Sequence, residues 1–223
     1  MSLRAAITPA PSLADQAFAA MVDAITSGEL PPAARIKEAE IARSLGISRG
    51  PLREALSRLE NNGLVERKTN LGVSVTALSL DDLDDLFRMR EALEGQACGL
   101  AAARMTAADI AHLNQMLNRH THTTARTGHY KQLTEDDDFH VYIIRRSGSR
   151  RLLRALCGDL YLQVRMYRHR SSQDHGRAKI ALVEHRDIVD ALASGNRHAA
   201  ETAMRQHISN ARENLIWAGP EIE

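Results

Sequence analysis

The segment ISRGPLREALSRLENNG, Ile47–Gly63, carries the signals of a short helix at both ends. Ser48 can cap it, Pro51 falls in the first turn where a missing N–H is harmless, and Gly63 stands where a helix stops. Leu52, Ala55, Leu56 and Leu59 recur at helical spacing and make one apolar stripe, which leaves Arg49, Arg53, Ser57 and Arg58 for other faces. Arginines at the front of such a helix can reach base edges and phosphates. An ordinary amphipathic helix with solvated arginines fits the same residues, so the neighbours decide.

Upstream, Leu13, Ala17, Ala20, Met21, Ala24 and Ile25 keep helical period from Ser12 to a stop at Gly28. Pro31 and Pro32 force an extended turn. A second helix over Glu38 to Leu45, with Ile41, Ala42 and Leu45 as its stripe, closes at Gly46 just before Ser48 opens the next. Helix, tight glycine turn, helix is the arrangement of a helix-turn-helix. Downstream, Leu64 to Lys68 and Val73 to Thr76 alternate around the turn residues Asn70, Leu71 and Gly72, which predicts a two-stranded wing. Arg67 and Lys68 sit near its tip, and phosphate contact is favoured over mere edge protection. Arg43, Arg49, Arg53, Arg58, Arg67 and Lys68 could share one surface.

The chain has 223 residues, 43% hydrophobic and 26% charged, with only 4% aromatic, enough for two modest and mainly helical domains. A net charge of +1 means that no global basic field announces nucleic acid, so DNA contact would depend on a local patch. Cys98 and Cys157 lie in helix-like apolar patterns and suggest neither a disulfide framework nor a cysteine metal cluster. No leader pattern and no bilayer-length apolar run is visible, so a soluble, cytoplasmic protein without membrane contact is expected. Residues 1–11 read as a disordered arm, 12–78 as the winged helix-turn-helix and 79–223 as an all-α domain of about six helices.

The run GELPPAARIKEAEIARSLGISRGPLREALSRLENNGLVERKTNLGVSVT resembles the winged helix-turn-helix of the GntR family of bacterial transcription regulators. The resemblance covers Leu13 to Thr76 and is carried above all by SRGPLREAL and LENNGLV. It implies that Arg49 and Arg53 read the operator, with Ser48 beside them and Gly72 at the wing tip. One departure matters. Relatives with a Ser-Glu-Arg-Glu-Leu run place a further DNA-contacting arginine where this chain has Ala39, so Arg35, Lys37 or Arg43 would have to substitute.

In the second domain, Ser79 with Asp82 and Thr106 with Asp109 open helices predicted to run to Met105 and to fade over Thr121 to Gly128. Further helices are expected at about Thr134 to Ser147, Ser149 to Arg170, Arg177 to Ser194 and Arg197 to Trp217. No nucleotide-cradling or hydrolase-nucleophile motif is present. Asp136 and His140 stand four apart on one helix face. His185 and His207 flank the Gly195-Asn196 turn, and antiparallel neighbours would bring them to about the same level at roughly 1.5 Å per residue. Spacing alone leaves a metal site and hydrogen-bonded core histidines both open. His112, His120, His122, His129, His169, His175 and His198 read as surface or loop residues.

Asp136-Asp-Asp-Phe-His140, Glu184-His185 with Ile188 and Ala191, and Met204-Arg-Gln-His207-Ile208 resemble the effector domain of the FadR subfamily, over about Ser79 to Trp217. In many members the matching Asp and three His bind a divalent metal and an organic acid completes its coordination. Relatives that bind acyl-coenzyme A without metal lack this full set. The resemblance therefore implies a site of Asp136, His140, His185 and His207. Three imidazoles and a carboxylate suit Zn²⁺, the default by availability, or Ni²⁺, and tolerate Fe²⁺ or Mn²⁺. Arg90 is a candidate for holding the effector's carboxylate, or else a structural ion pair with Glu94. Glu184 could support a ligand or lie on the surface. The expected function is a homodimeric repressor of operator DNA that responds to a small organic acid. A metal-dependent hydrolase, and a helical domain that only dimerises, are the alternatives.

Overall fold

A computed structural model describes residues 10–127, 138–171 and 175–217, and the chain divides into two compact units, Met1–Ala77 and Leu78–Glu223. The arm expected over 1–11 falls almost wholly outside the described residues. No helix among them is long and apolar enough to cross a membrane.

In the first unit, α1 (Leu13–Thr26) opens with a capping box. The Ser12 hydroxyl accepts from the Asp15 N–H and the Asp15 carboxylate accepts from the Ser12 N–H. α2 (Glu38–Ser44) and α3 (Arg49–Asn61) flank Gly46, whose φ of +66° lets the chain reverse where an L side chain would be strained. The α3 stripe is wholly buried at Leu52, Ala55, Leu56 and Leu59 and packs against α1, which buries Ala17, Met21 and Ile25. Hydrophobic burial of these residues, rather than the polar face, fixes which side of α3 stays exposed.

The wing consists of β2 (Val65–Lys68) and β3 (Gly72–Val75), with Lys68 opposite Gly72 and Val65 opposite Val75. Its tip is Thr69 to Leu71, and Gly72 is the first residue of β3 rather than the tip itself. The two-stranded expectation needs one correction. β1 (Arg35–Ile36) pairs antiparallel with β3 and makes the sheet order β1-β3-β2. Two residues are too few for alternation to be visible, and backbone bonds from Ala33 N–H to Val75 and from Val75 N–H to Ala34 hold the strand in place.

The second unit is α4 (Leu80–Ala102), α5 (Ala107–Thr127), α6 (Phe139–Arg146), α7 (Arg150–Arg154), α8 (Tyr161–Ser171), α9 (His175–Ala193) and α10 (Arg197–Trp217). The capping boxes expected at Ser79 and Asp82 and at Thr106 and Asp109 are both formed. α5 does not fade at Thr121, because His120 and Thr124 are buried on it and serve as inward-facing residues despite their polarity. His120 is therefore no surface residue.

The single helix expected from Ser149 to Arg170 is interrupted. Between α7 and α8 lies a π-helical turn, Ala155–Asp159, in which the Leu160 N–H donates to the Ala155 carbonyl at 3.2 Å. Leu152, Leu153, Leu156, Cys157 and Leu160 cross this turn in unbroken helical spacing and pack with Leu93, Ala97 and Ile144. The side-chain pattern thus conceals the backbone change, and only Gly158, a poor helix former, marks it. Beyond the turn, the Tyr167 hydroxyl accepts the Leu78 N–H at 2.7 Å.

α4 and α10 pack closely because Gly95 and Gly99 present bare backbone. A Cβ at Gly95 would lie 2.6 Å from Arg205 Cγ, and one at Gly99 would lie 3.1 Å from the Arg197 carbonyl oxygen and 3.3 Å from Glu201 Cβ. Ascending α4 descends α10, so the pair is antiparallel. The Gly99 contact is with backbone and cannot yield by a rotamer change. Gly99→Leu is expected to lower stability by about 1–3 kcal/mol, the usual cost of overpacking, and urea unfolding that matches the parent chain would show that the helices can separate freely.

Candidate metal centre and nucleic-acid interface

Asp138 caps α6, accepting from the His140 N–H at 2.9 Å and the Val141 N–H at 3.2 Å, and so sets His140 in the first turn. His185 lies on α9 and His207 on α10, the antiparallel pair joined through Gly195 and Asn196. All three imidazoles are buried, and their ligand nitrogens lie within 4.8 Å of one another. The Nε2 atoms of His185 and His207 are 3.2 Å apart. Phe139 stacks on His185 with centroids 4.4 Å apart and walls the cluster on that side. Asp136, the fourth residue of the expected set, lies outside the described residues.

Two carboxylates face the cluster from behind. His140 Nδ1 is 2.6 Å from Glu94 Oε2, and Arg90 Nε donates to Glu94 Oε1 at 2.8 Å. His207 Nδ1 is 2.7 Å from Glu184 Oε2, which also accepts from Arg177 Nη2 at 2.7 Å, while Asn210 Nδ2 donates to Glu184 Oε1 at 2.7 Å. Burial pushes the Glu184 carboxyl up, but the hydrogen bonds from His207, Arg177 and Asn210 outweigh it and hold the group at about 2. Burial, helped by His140, pushes His207 down to about 4 against the pull of Glu184. The imidazole is thus neutral near pH 7, the form that can offer a lone pair to a cation. Buried imidazoles with converging nitrogens and carboxylates behind two of them fit a divalent transition metal.

Arg90 makes the ion pair with Glu94 at 1% exposure, and Glu184 stands behind a histidine rather than on the surface. Sequence reasoning passed over Asp138, Arg177 and Asn210. An aspartate just before Phe139 was a readable cap signal, whereas Arg177 and Asn210 reach Glu184 only through the pairing of α9 with α10.

On the first unit, Ser48 holds the N-cap position of α3 but its hydroxyl makes no capping hydrogen bond, a correction to the expected cap. Arg49 and Arg53 are exposed one turn apart at the front of the helix. Arg53 Nε is 3.0 Å from Glu38 Oε2, and Arg67 lies 3.7 Å from Glu38 and 3.6 Å from Glu60. Lys37 pairs with Glu40 at 3.2 Å and Lys68 with Glu66 at 2.7 Å. Arg35, Arg43 and Arg49 are exposed, and their side chains pair with no described residue. Surface pairs of this sort are weak enough for a phosphate to exchange with. Arg58 differs from the rest of the set. Its guanidinium bonds Asp15 at 2.8 Å and sits 4.3 Å over the Phe18 ring, so it faces α1.

A winged helix-turn-helix followed by an all-α unit with a buried three-histidine cluster is the architecture of a DNA-binding transcription regulator. The family model for bacterial regulatory proteins of the gntR family matches residues 13–75 and the FCD domain model matches residues 85–210, so the chain belongs to the GntR family and is a transcription regulator, not an enzyme. It is 32% identical over 211 residues to the probable D-xylose utilization operon transcriptional repressor of Paenarthrobacter nicotinovorans, covering 89% of this chain and 86% of that one. It is 30% identical over 200 residues to the HTH-type transcriptional regulator YdhC of Bacillus subtilis, covering 86% and 85%. The solved structure of McbR/YncC from E. coli superposes with a TM-score of 0.78 over 93% of this chain and 98% of that one, at 22% identity, a likeness of fold. Regulators of this family bind operator DNA and small-molecule effectors, and FCD domains often bind metal.

Because Arg58 is engaged with α1, Arg58→Ala is expected to lower the melting temperature while leaving operator affinity near that of the parent. A loss of affinity as large as that from Arg49→Ala, with the fold intact, would return Arg58 to the DNA face.

Proposed function

We propose that this regulator is a homodimeric, cytoplasmic repressor that senses a small organic acid at a divalent-metal site made by Asp136, His140, His185 and His207. The convergence of three buried imidazole nitrogens within 4.8 Å carries the proposal. Because α6 begins only at Phe139, after the Asp138 cap, and not near Thr134, Asp136 is included on the resemblance of Asp136-Asp-Asp-Phe-His140 to the family's ligand run and not on a shared helix face. Zn²⁺ is the default, with Ni²⁺, Fe²⁺ or Mn²⁺ compatible with the same donors. Such an ion supplies, when bound, a Lewis-acidic attachment for a carboxylate or hydroxyacid. Arg90 would contribute a buried positive charge nearby, and it could hold an effector carboxylate only by sharing its guanidinium with Glu94.

On DNA, the α3 helices of the two protomers would enter successive major grooves of a near-palindromic operator. Arg49 and Arg53 would read bases, Ser48 and Arg43 would hold the nearby backbone, and Arg35, Lys37, Arg67, Lys68 and Gly72 would contact phosphate from the wing side. In the free protein Arg53 is paired with Glu38 of α2, a contact that DNA phosphate or a base would have to replace. The printed name of the Paenarthrobacter nicotinovorans relative supports repression as the direction of control. An effector can release the operator only if it prefers the released state.

Purified protein is expected to carry about one divalent ion per chain by elemental analysis, and His140→Ala/His185→Ala very little. A panel of carboxylic and hydroxy acids should then contain members that weaken operator binding by the parent protein and not by the double variant. No ion in the parent, even after zinc or nickel is supplied, would overturn the sensing site. Separately, Arg53→Ala should weaken operator binding by about 1–3 kcal/mol with the dimer intact. Unchanged binding in an electrophoretic shift assay would remove Arg53 from the interface.

A further inference from the structure

Two of the three imidazoles at the centre share one construction. Arg90, Glu94 and His140 form a buried series at 2.8 and 2.6 Å, in which one oxygen of Glu94 takes the guanidinium and the other takes the ring nitrogen. Arg177, Glu184 and His207 form a second series at 2.7 and 2.7 Å, here with both donors on one oxygen and Asn210 on the other. The two series come from different helices. Glu94 approaches from α4, and Glu184 from α9, one residue before the ligand candidate His185.

A carboxylate held by a buried arginine is an acceptor and has no proton to give. Any imidazole nitrogen that touches it must therefore be the N–H, so His140 and His207 carry their protons on Nδ1. In the neutral ring this leaves Nε2 as the lone-pair nitrogen on the side of the cluster. The carboxylate also makes the ring a better donor by stabilising positive charge on it, and prevents the ring from rotating. We infer that Glu94 and Glu184 are positioning residues that fix the tautomer and orientation of His140 and His207, and so set how tightly the centre holds a divalent cation. Arg90 and Arg177 act one step further back by keeping the two carboxylates in place.

The inference rests on the metal-site reading above, and a zinc titration separates the two. Removing one member of a buried ion pair strands its partner's charge, so the α4 series is tested with the paired change Arg90→Met/Glu94→Gln and the α9 series with Glu184→Gln. Zinc affinity is measured against a chromophoric chelator. Each variant should bind about 10–100-fold more weakly than the parent. Leu83→Ala, about three turns before Glu94 on α4, serves as a control that loses buried apolar contacts but keeps both series, and its zinc affinity should stay with the parent's. Nitrogen-15 NMR of the metal-free proteins adds a readout that needs no cation. His140 and His207 in the parent should show protonated Nδ1 and bare Nε2, and each ring should move toward a tautomer mixture when its own carboxylate is replaced.

If the parent binds zinc and both variants bind it equally well, the positioning role falls and the metal site stands. If the parent binds no zinc, both fall together. If the variants lose affinity only in proportion to their loss of stability, as judged from Leu83→Ala, the carboxylates are structural and the inference is wrong.

Discussion

The architecture of the second unit depends on how near α10 can come to α4. Gly95 and Gly99 remove two side chains from the contact, and the antiparallel pair closes until a Cβ at either position would overlap its neighbour. The site is built around this contact. Glu94 is the residue before Gly95, and the Arg205 side chain that covers Gly95 is two residues before His207. A wider spacing would draw Glu94 and the helix that carries His207 apart. Close packing thus does here what a loop could not, because helices held at their backbones position side chains with little slack.

The two units use charge in opposite ways. In the winged helix-turn-helix, Arg53, Arg67, Lys37 and Lys68 are largely exposed and lean on Glu38, Glu60, Glu40 and Glu66. Such pairs are weak, screened by salt and readily exchanged for phosphate oxygens. In the helical unit, Arg90 and Glu94 are almost fully buried, and Arg177 nearly so. Pairs there cannot be traded without a large desolvation cost. Exchangeable charge suits a surface that must take and release DNA, and locked charge suits a centre that must keep its shape.

Much of this was legible in the residues. Apolar periodicity located α1 and α3, glycines marked the turn of the helix-turn-helix, and the distance of His185 and His207 from one short turn brought their rings to the same level. Burial selects strongly at those positions, so the pattern survives in sequence. The two-residue β1 left no pattern, because a period of two needs more than one repeat to be seen. The π-turn was hidden for the opposite reason, since its side chains keep helical spacing while the backbone does not. Arg58 looked like its neighbours on a helical wheel, and only the tertiary contact with Asp15 and Phe18 separates it from them. Glu94 was visible as a partner for Arg90, but its second oxygen meets a residue 46 positions away.

The π-turn also fixes an angular phase. Its ring of hydrogen bonds accommodates one residue more than an α-helical turn does, and everything after it is rotated accordingly. Deleting one residue from Ala155–Asp159 would let α7 and α8 continue as one helix and would swing α8 by about 100° about its axis. Tyr167, which now offers its hydroxyl to the Leu78 N–H at the start of the second unit, would point elsewhere. That hydrogen bond is a vernier for the helix, closed at one setting and open at the next.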